Sequence, residues 1–220
     1  MEHNEDPISG LAHLRREYDR GALNEADVSP DPFEQFERWF GEALETDGVE
    51  ANAMTLATAS ADGWPSARMV LLKGLDRQGF AFYGNYESQK GQNLLENPRA
   101  ALLFYWPKLA RQVRVVGTVS RLTPEESAAY FHSRPHGSQI GAVASPQSRV
   151  IPNRAALEER VRELEGRYGE GEVPLPAYWG GFRVSPATFE FWQGRLNRLH
   201  DRLRYRITDD GAWVIERLAP

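Results

Sequence analysis

Four stretches of this chain gather side chains that can grip an anion. The first is R-M-V-L-L-K, Arg68 to Lys73, in which two cations flank an apolar run. Cations in such a place can hold phosphate, but strict strand alternation puts Arg68 and Lys73 on opposite faces. Both reach one ligand only through a bulge, a strand end or a ligand that wraps the edge; otherwise the run is a buried strand with solvated ends. The second is Y-G-N-Y-E-S-Q-K, Tyr83 to Lys90, passing from a strand end through Gly84 to a helix start near Ser88, Gln89 and Lys90. A helix start carrying a hydroxyl and a nearby Lys is an anion site or a plain cap. In the third, Tyr130, Arg134 and Ser138 lie four residues apart, and a polar stretch with Gln147 and Ser148 follows. Tyr, Arg and Ser together suit a phosphate ester, and equally suit a solvated helix end. The fourth is F-E-F-W-Q-G-R-L-N-R-L-H-D-R, Phe189 to Arg202. On an extended chain Arg198 and His200 point the same way. Arg195, Arg198, Arg202, Arg204 and Arg206 imply either an anionic ligand or ion pairs with Asp201, Asp209 and Asp210. Trp192 is ordinarily a core residue, and its indole also packs well beside a flat ring.

Other chemistries are excluded or weakly supported. The chain has no Cys, which removes disulfides, thiolate metal sites and a Cys nucleophile. His132 and His136 have no third ligand at a metal-binding spacing, so no metal is expected. A net charge of -5 argues against a nucleic-acid partner. No apolar run approaches the roughly 18 residues of a membrane span, and the acidic N-terminus lacks an apolar signal core. The expected setting is cytoplasmic, with no membrane partner. Neither a G-x-G-x-x-G nor a G-x-x-x-x-G-K-[ST] loop is present.

The elements that must position these residues are mostly strands. Of 220 residues, 41% are hydrophobic, enough for a sizeable core. Leu11 to Arg20 reads as a short charged helix ended by Gly21. Asp31-Pro32 reads as a cap and first helical position, with Phe33, Phe36, Trp39, Phe40 and Leu44 on one face. Strands are predicted at Met54–Ser60, Ala67–Lys73, Phe80–Tyr83, Ala100–Trp106, Val113–Leu122, Phe182–Val184, Thr188–Trp192, Leu203–Ile207 and Ala212–Leu218. Helices are predicted at Ser88–Glu96, from the Thr123-Pro124-Glu125-Glu126 start to Arg134, and at Asn153–Tyr168. His136 to Pro152 reads as a polar loop. Strands at hairpin spacing with inserted helices predict a mainly β fold, a small antiparallel barrel with helical additions.

Taken together, the chain resembles the pyridoxamine 5'-phosphate oxidase family from L-R-R-E-Y at Leu14 to R-L-A-P at Arg217. The most specific block is Phe189 to Arg202; R-M-V-L-L-K, R-Q-V-R-V-x-G, Y-F-H-S-R-P-x-x-S-Q-I-G-A and G-E-V-P-L-P-x-x-W-G-G-F-R-V also match. The resemblance implies an FMN-binding split β-barrel of Greek-key type and a homodimer with FMN at the subunit interface. The implied activity is oxidation of phosphorylated B6 compounds to pyridoxal 5'-phosphate, with molecular oxygen as acceptor and peroxide as product. Another split-barrel flavin reductase, or a non-catalytic binder of FMN or pyridoxal phosphate, is the alternative. The FMN contacts implied are Arg68, Met69, Val70, Leu71, Leu72, Lys73, Tyr83, Gly84, Lys90, Gln112, Gln147, Ser148, Trp192 and Arg202, with Ser88 and Gln89 beside them. Lys73, Tyr130, Arg134 and Ser138 are implied around the substrate phosphate, and Arg198 and His200 at the substrate ring as the catalytic pair. Residues 1–30 form an N-terminal segment whose Arg15 to Tyr18 is a candidate lid, and 31–220 a single domain. One departure stands out: the family pattern S-R-K reads Ser88-Gln89-Lys90 here, which removes one cation.

Overall fold

Period-two burial along the strands builds one curled sheet around an aromatic interior. The computed structural model describes His13, Glu17, Tyr18 and residues 21–220. The predicted helix at Leu11 to Arg20 lies largely outside the described residues, as do Arg15 and Arg16 of the candidate lid. Among the described residues the strands are β1 Ala53–Ala59, β2 Pro65–Leu71, β3 Gly74–Asp76, β4 Gly79–Asn85, β5 Arg99–Trp106, β6 Arg111–Arg121, β7 Trp179–Gln193, β8 Asp201–Ile207 and β9 Trp213–Arg217. All pair antiparallel, in the order β2-β1-β5-β6-β7-β4-β3, with β8 on β7 and β9 on β8.

The long strand β7 organises this sheet. One edge pairs with β6 along its length. Its other edge is divided: residues 179–184 pair with β4 and residues 188–193 with β8. The division falls at a bulge, where the partner of Val116 is Thr188 but that of Gly117 is Pro186. Pro186 has no N–H to offer, and bulges are where sheets accept proline. Gly117 permits the close approach, since a Cβ there would sit 2.0 Å from the Ser185 carbonyl oxygen. The sequence reading of two strands, Phe182–Val184 and Thr188–Trp192, is corrected to one strand crossing this bulge.

The interior is filled by residues from alternate strand positions: Met54, Leu56, Phe80, Phe82, Leu102, Phe104, Val113, Val115, Phe189 and Phe191, all fully buried. Helix α1 (Pro32–Asp47) closes the core as its periodicity predicts, capped by Asp31, whose side chain accepts from the Phe33 N–H. Phe36 meets Phe80 edge-on at 4.9 Å and Phe104 at 5.0 Å, and Trp39 meets Phe191 at 5.3 Å.

Among the described residues four further α-helices flank the sheet: α2 Gln89–Glu96, α3 Pro124–Ser133, α4 His136–Ala144 and α5 Arg154–Tyr168. A second, smaller core (Phe131, Ile140, Ala144, Leu164, Val173, Trp179) joins α3, α4 and α5 to the start of β7. The expected polar loop from His136 is therefore corrected: its first part is helix. Gly137, Gly141 and the lack of a side-chain cap hide it in the sequence, while burial of Ile140 and Ala144 on one face supplies the support.

Candidate active site

The curled edge of the sheet and helices α2, α3 and α4 enclose a cleft of about 750 Å³. Strand β2 is the terminal strand of the order, so its exposed edge is one wall. Beyond Leu71 the chain turns, and the Lys73 N–H donates to the Ala81 carbonyl at 2.9 Å. This strand end resolves the alternation problem, because Arg68, Met69, Val70, Leu71 and Lys73 all line the cleft. Tyr83, Gly84, Gln89, Lys90, Tyr130, Arg134, Ser138, Gln147 and Ser148 line it too. Three of the four candidate segments thus converge.

Within these three segments, two expected contacts do not face the cleft. Leu72 is a core residue. Ser88 lies behind the wall: it caps α2, its Oγ donating to the Asn85 carbonyl and accepting from Lys90 Nζ at 3.0 Å.

At one end Arg68 and Lys90 stand together. The Arg68 guanidinium donates to the Leu56 and Ser66 carbonyls and the Thr58 and Ser66 hydroxyls. Asn93 donates to those same hydroxyls and fixes them. Lys90 is 7% exposed, and its ammonium donates to Ser88 Oγ and, at 2.6 Å, to Gln147 Oε1. Burial, and then the charge of Arg68, lower its pKa to about 8. Gly84 makes room for it, since a Cβ there would meet Lys90 Cε at 2.8 Å and Nζ at 2.9 Å.

Arg134 follows α3, and the Gln139 side-chain amide donates to its carbonyl at 2.8 Å. Its guanidinium lies 4.9 Å from the centre of the Trp179 ring. Among the described residues, Arg134 Nη1 is buried without a hydrogen-bond partner. Tyr130 stacks on Tyr83 at 3.8 Å, and Trp179 extends the stack. Burial raises the pKa of both tyrosines, so their hydroxyls remain donors at neutral pH. Trp179 was missed as a site residue, although it stands in the W-G-G-F-R-V block.

Gln112, Trp192, Arg198, His200 and Arg202 do not line this cleft. Gln112, Trp192 and Arg202 are direct cross-strand neighbours on β6, β7 and β8. Arg202 pairs with the buried Glu190, which also holds Arg114. The extended reading of Arg198 and His200 is corrected: residues 196–198 form a 3-10 turn, with Asn197 at φ 55 and Arg198 at φ 61. The His200 ring lies 4.6 Å from that of Trp192, and the Tyr18 ring meets both edge-on. His200 Nδ1 accepts from the Arg195 N–H at 3.1 Å, which leaves Nε2 as the donor of the neutral ring. Burial, then Arg198, lower the His200 pKa and favour that form.

Among the described residues the lining carries four cations, Arg68, Lys73, Lys90 and Arg134, and no carboxylate. Among the described residues no cluster of His, Cys, Asp and Glu can hold a metal ion. No helix among them is long and apolar enough to cross a membrane.

Comparison with known proteins follows the same lines. Residues 40–168 match the family model described as pyridoxamine 5'-phosphate oxidase. The chain belongs to this family. Residues 179–220 match the pyridoxine 5'-phosphate oxidase C-terminal dimerisation region. The pyridoxine/pyridoxamine 5'-phosphate oxidase of Salinibacter ruber is 60% identical over 215 residues, covering 97% of this chain and 100% of that protein. That of Paraburkholderia phymatum is 57% identical over 213 residues, covering 97% and 100%. Among solved structures, PhzG of Burkholderia lata, in complex with tetrahydrophenazine-1-carboxylic acid, is 30% identical with a TM-score of 0.85, covering 91% of this chain and 99% of that one. An FMN-binding, pyridoxamine 5'-phosphate oxidase-related protein of Nostoc punctiforme shares the fold at 18% identity and a TM-score of 0.67, covering 88% and 100%. The expected split barrel is borne out.

Proposed function

We propose that this chain oxidises pyridoxine 5'-phosphate and pyridoxamine 5'-phosphate to pyridoxal 5'-phosphate with FMN as cofactor, and that the cleft grips the phosphates of both. One observation carries the reading. Among the described residues, four cations and no carboxylate line a single cleft in a chain of net charge -5. Such a concentration of unneutralised charge suits phosphate dianions.

The cleft fits FMN at the Lys90 end. Gly84 makes space for a buried ammonium whose protein partners are neutral, and Arg68 stands beside it. When bound, FMN supplies a two-electron acceptor, and molecular oxygen is the final oxidant, released as hydrogen peroxide.

The substrate phosphate belongs with Lys73, Tyr130, Arg134 and Ser138. The unpartnered Arg134 Nη1 is a buried donor that lacks only an acceptor. The Tyr83–Tyr130–Trp179 stack fixes the Tyr130 hydroxyl and the Arg134 fork as a rigid wall. Orientation of the bound ring is the main contribution this wall makes to rate.

The homodimer completes the site. Gln112, Trp192, Arg198, His200 and Arg202 enter the cleft of the second copy, placing FMN at the subunit interface. None of them lines its own chain's cleft, which supports this, as do the dimerisation-region match and the exposed apolar residues Met69, Leu71, Tyr105 and Val116 on the sheet. There His200 Nε2 donates to the substrate ring hydroxyl and Arg198 covers the ring.

The deciding experiment adds pyridoxine 5'-phosphate in air to the purified FMN-loaded protein, without a nicotinamide. Peroxide and pyridoxal 5'-phosphate are expected in equal amounts. Flavin reduction only when a nicotinamide is supplied would replace this reading with a reductase.

A further inference from the structure

We infer that Arg149 supplies a cation to the FMN phosphate, in the place left neutral by Gln89. The inference rests on the proposed seating of that phosphate at the Lys90 end of the cleft. At that end the cleft continues into a groove of about 330 Å³, lined by Glu87, Gln89, Gln92, Ser148 and Arg149. Gln89 and Ser148 line both spaces, so the groove opens beside the first turn of α2.

The cations already at this end share their donors with protein acceptors. Arg68 is spread over two carbonyls and two hydroxyls, and Lys90 over Ser88 and Gln147. Gln89 can donate a hydrogen bond but adds no charge. Among the described residues Arg149 is the only cation in the groove lining, and its side chain makes no hydrogen bond or ion pair with any of them. Glu87, the one carboxylate of the groove, forms no ion pair with it.

The loop presents Arg149 in a defined way. Ser148 is left-handed, with φ 69, and the Arg149 N–H donates to the Pro146 carbonyl at 2.9 Å. This turn carries the chain from Gln147, which holds Lys90, to Arg149 within two residues. A flexible guanidinium at that point can close on a phosphate that Lys90 and Arg68 hold from within.

The test titrates the full-length, FMN-free chain with FMN and, separately, with riboflavin, which lacks the phosphate. Flavin fluorescence gives the affinity, and circular dichroism confirms folding. Arg149→Ala is expected to weaken FMN binding about fivefold, the scale of one solvent-exposed cation, and to leave riboflavin binding unchanged. Arg149→Lys keeps most of the affinity, and adding Gln89→Arg to Arg149→Ala restores it. An Arg149→Ala chain that binds FMN like the parent overturns the inference, as does equal weakening of both flavins, which would mark a structural role for the loop. Lys90→Gln separates the two levels: if it weakens FMN while Arg149→Ala does not, only the role of Arg149 fails. If Lys90→Gln also binds FMN like the parent, the seating of the phosphate itself fails.

Discussion

Replacing Lys90 by Met should make the FMN-free chain more stable and nearly abolish its hold on FMN. The ammonium is 7% exposed and, among the described residues, has no carboxylate partner. Its pKa falls from 10.5 to about 8 on folding, with burial the larger cause and Arg68 the smaller. At about 1.4 kcal/mol per pH unit, that is about 3 kcal/mol of unfavourable free energy in the folded state at pH 7. The sign follows from proton counting. Between pH 8 and 10.5 the unfolded chain binds more protons than the folded one, so stability rises with pH across that window. Below about pH 8 the whole cost is present. Methionine removes the charge at similar volume, while two lost hydrogen bonds return about 1 kcal/mol. The net gain of about 2 kcal/mol corresponds to a rise in Tm of roughly 4–8 °C for a chain of this size. Thermal unfolding of the FMN-free protein at pH 7, alongside FMN titration, measures both quantities. A Lys90→Met chain that melts below the parent would refute the claim that this ammonium is an uncompensated buried charge.

Three further outcomes follow from the same geometry. FMN affinity should be level from roughly pH 7 to 8, where the phosphate is a dianion and Lys90 is charged, and fall by up to tenfold per pH unit above that, as Lys90 in the free protein loses its proton; a flat profile from pH 7 to 10 contradicts this. Arg134→Leu should raise KM for pyridoxine 5'-phosphate about a hundredfold, the scale of a charge-assisted pair, with FMN titration unchanged. Gly117→Ala should lower stability by about 3 kcal/mol or more in denaturant unfolding, because its Cβ would sit 2.0 Å from the Ser185 carbonyl oxygen.

The sequence made the strands legible where alternation is clean. In β1 and β5, Met54, Leu56, Leu102 and Phe104 turn inward as the period-two pattern requires. Asp31-Pro32 and the Thr123 capping box marked two helix starts at the correct residues. Signals failed where tertiary contacts outweighed local chemistry. Pro186 reads as a break, yet a bulge carries β7 through it. The glycines of α4 read as loop, yet Ile140 and Ala144 anchor a helix. Within the site, cations and hydroxyls were recognisable by type, and Arg68, Lys73, Lys90, Tyr130, Arg134 and Ser138 do converge. Trp179 was passed over because an indole in an apolar block looks like core. The spacing of Arg198 and His200 misled because consecutive left-handed residues, Asn197 and Arg198, precede the histidine. No pattern within one chain reveals that Trp192 and Arg202 lie away from that chain's own cleft, since this depends on how the sheet curls.

The like charges gathered in the cleft also bear on the fate of the protein in a cell. A ligand that binds only the folded chain stabilises it by about 2.7 kcal/mol at a hundredfold excess over its dissociation constant. Loss of that ligand is therefore expected to leave more of the chain open to degradation. Under riboflavin starvation, the amount of this protein should decline before its synthesis does.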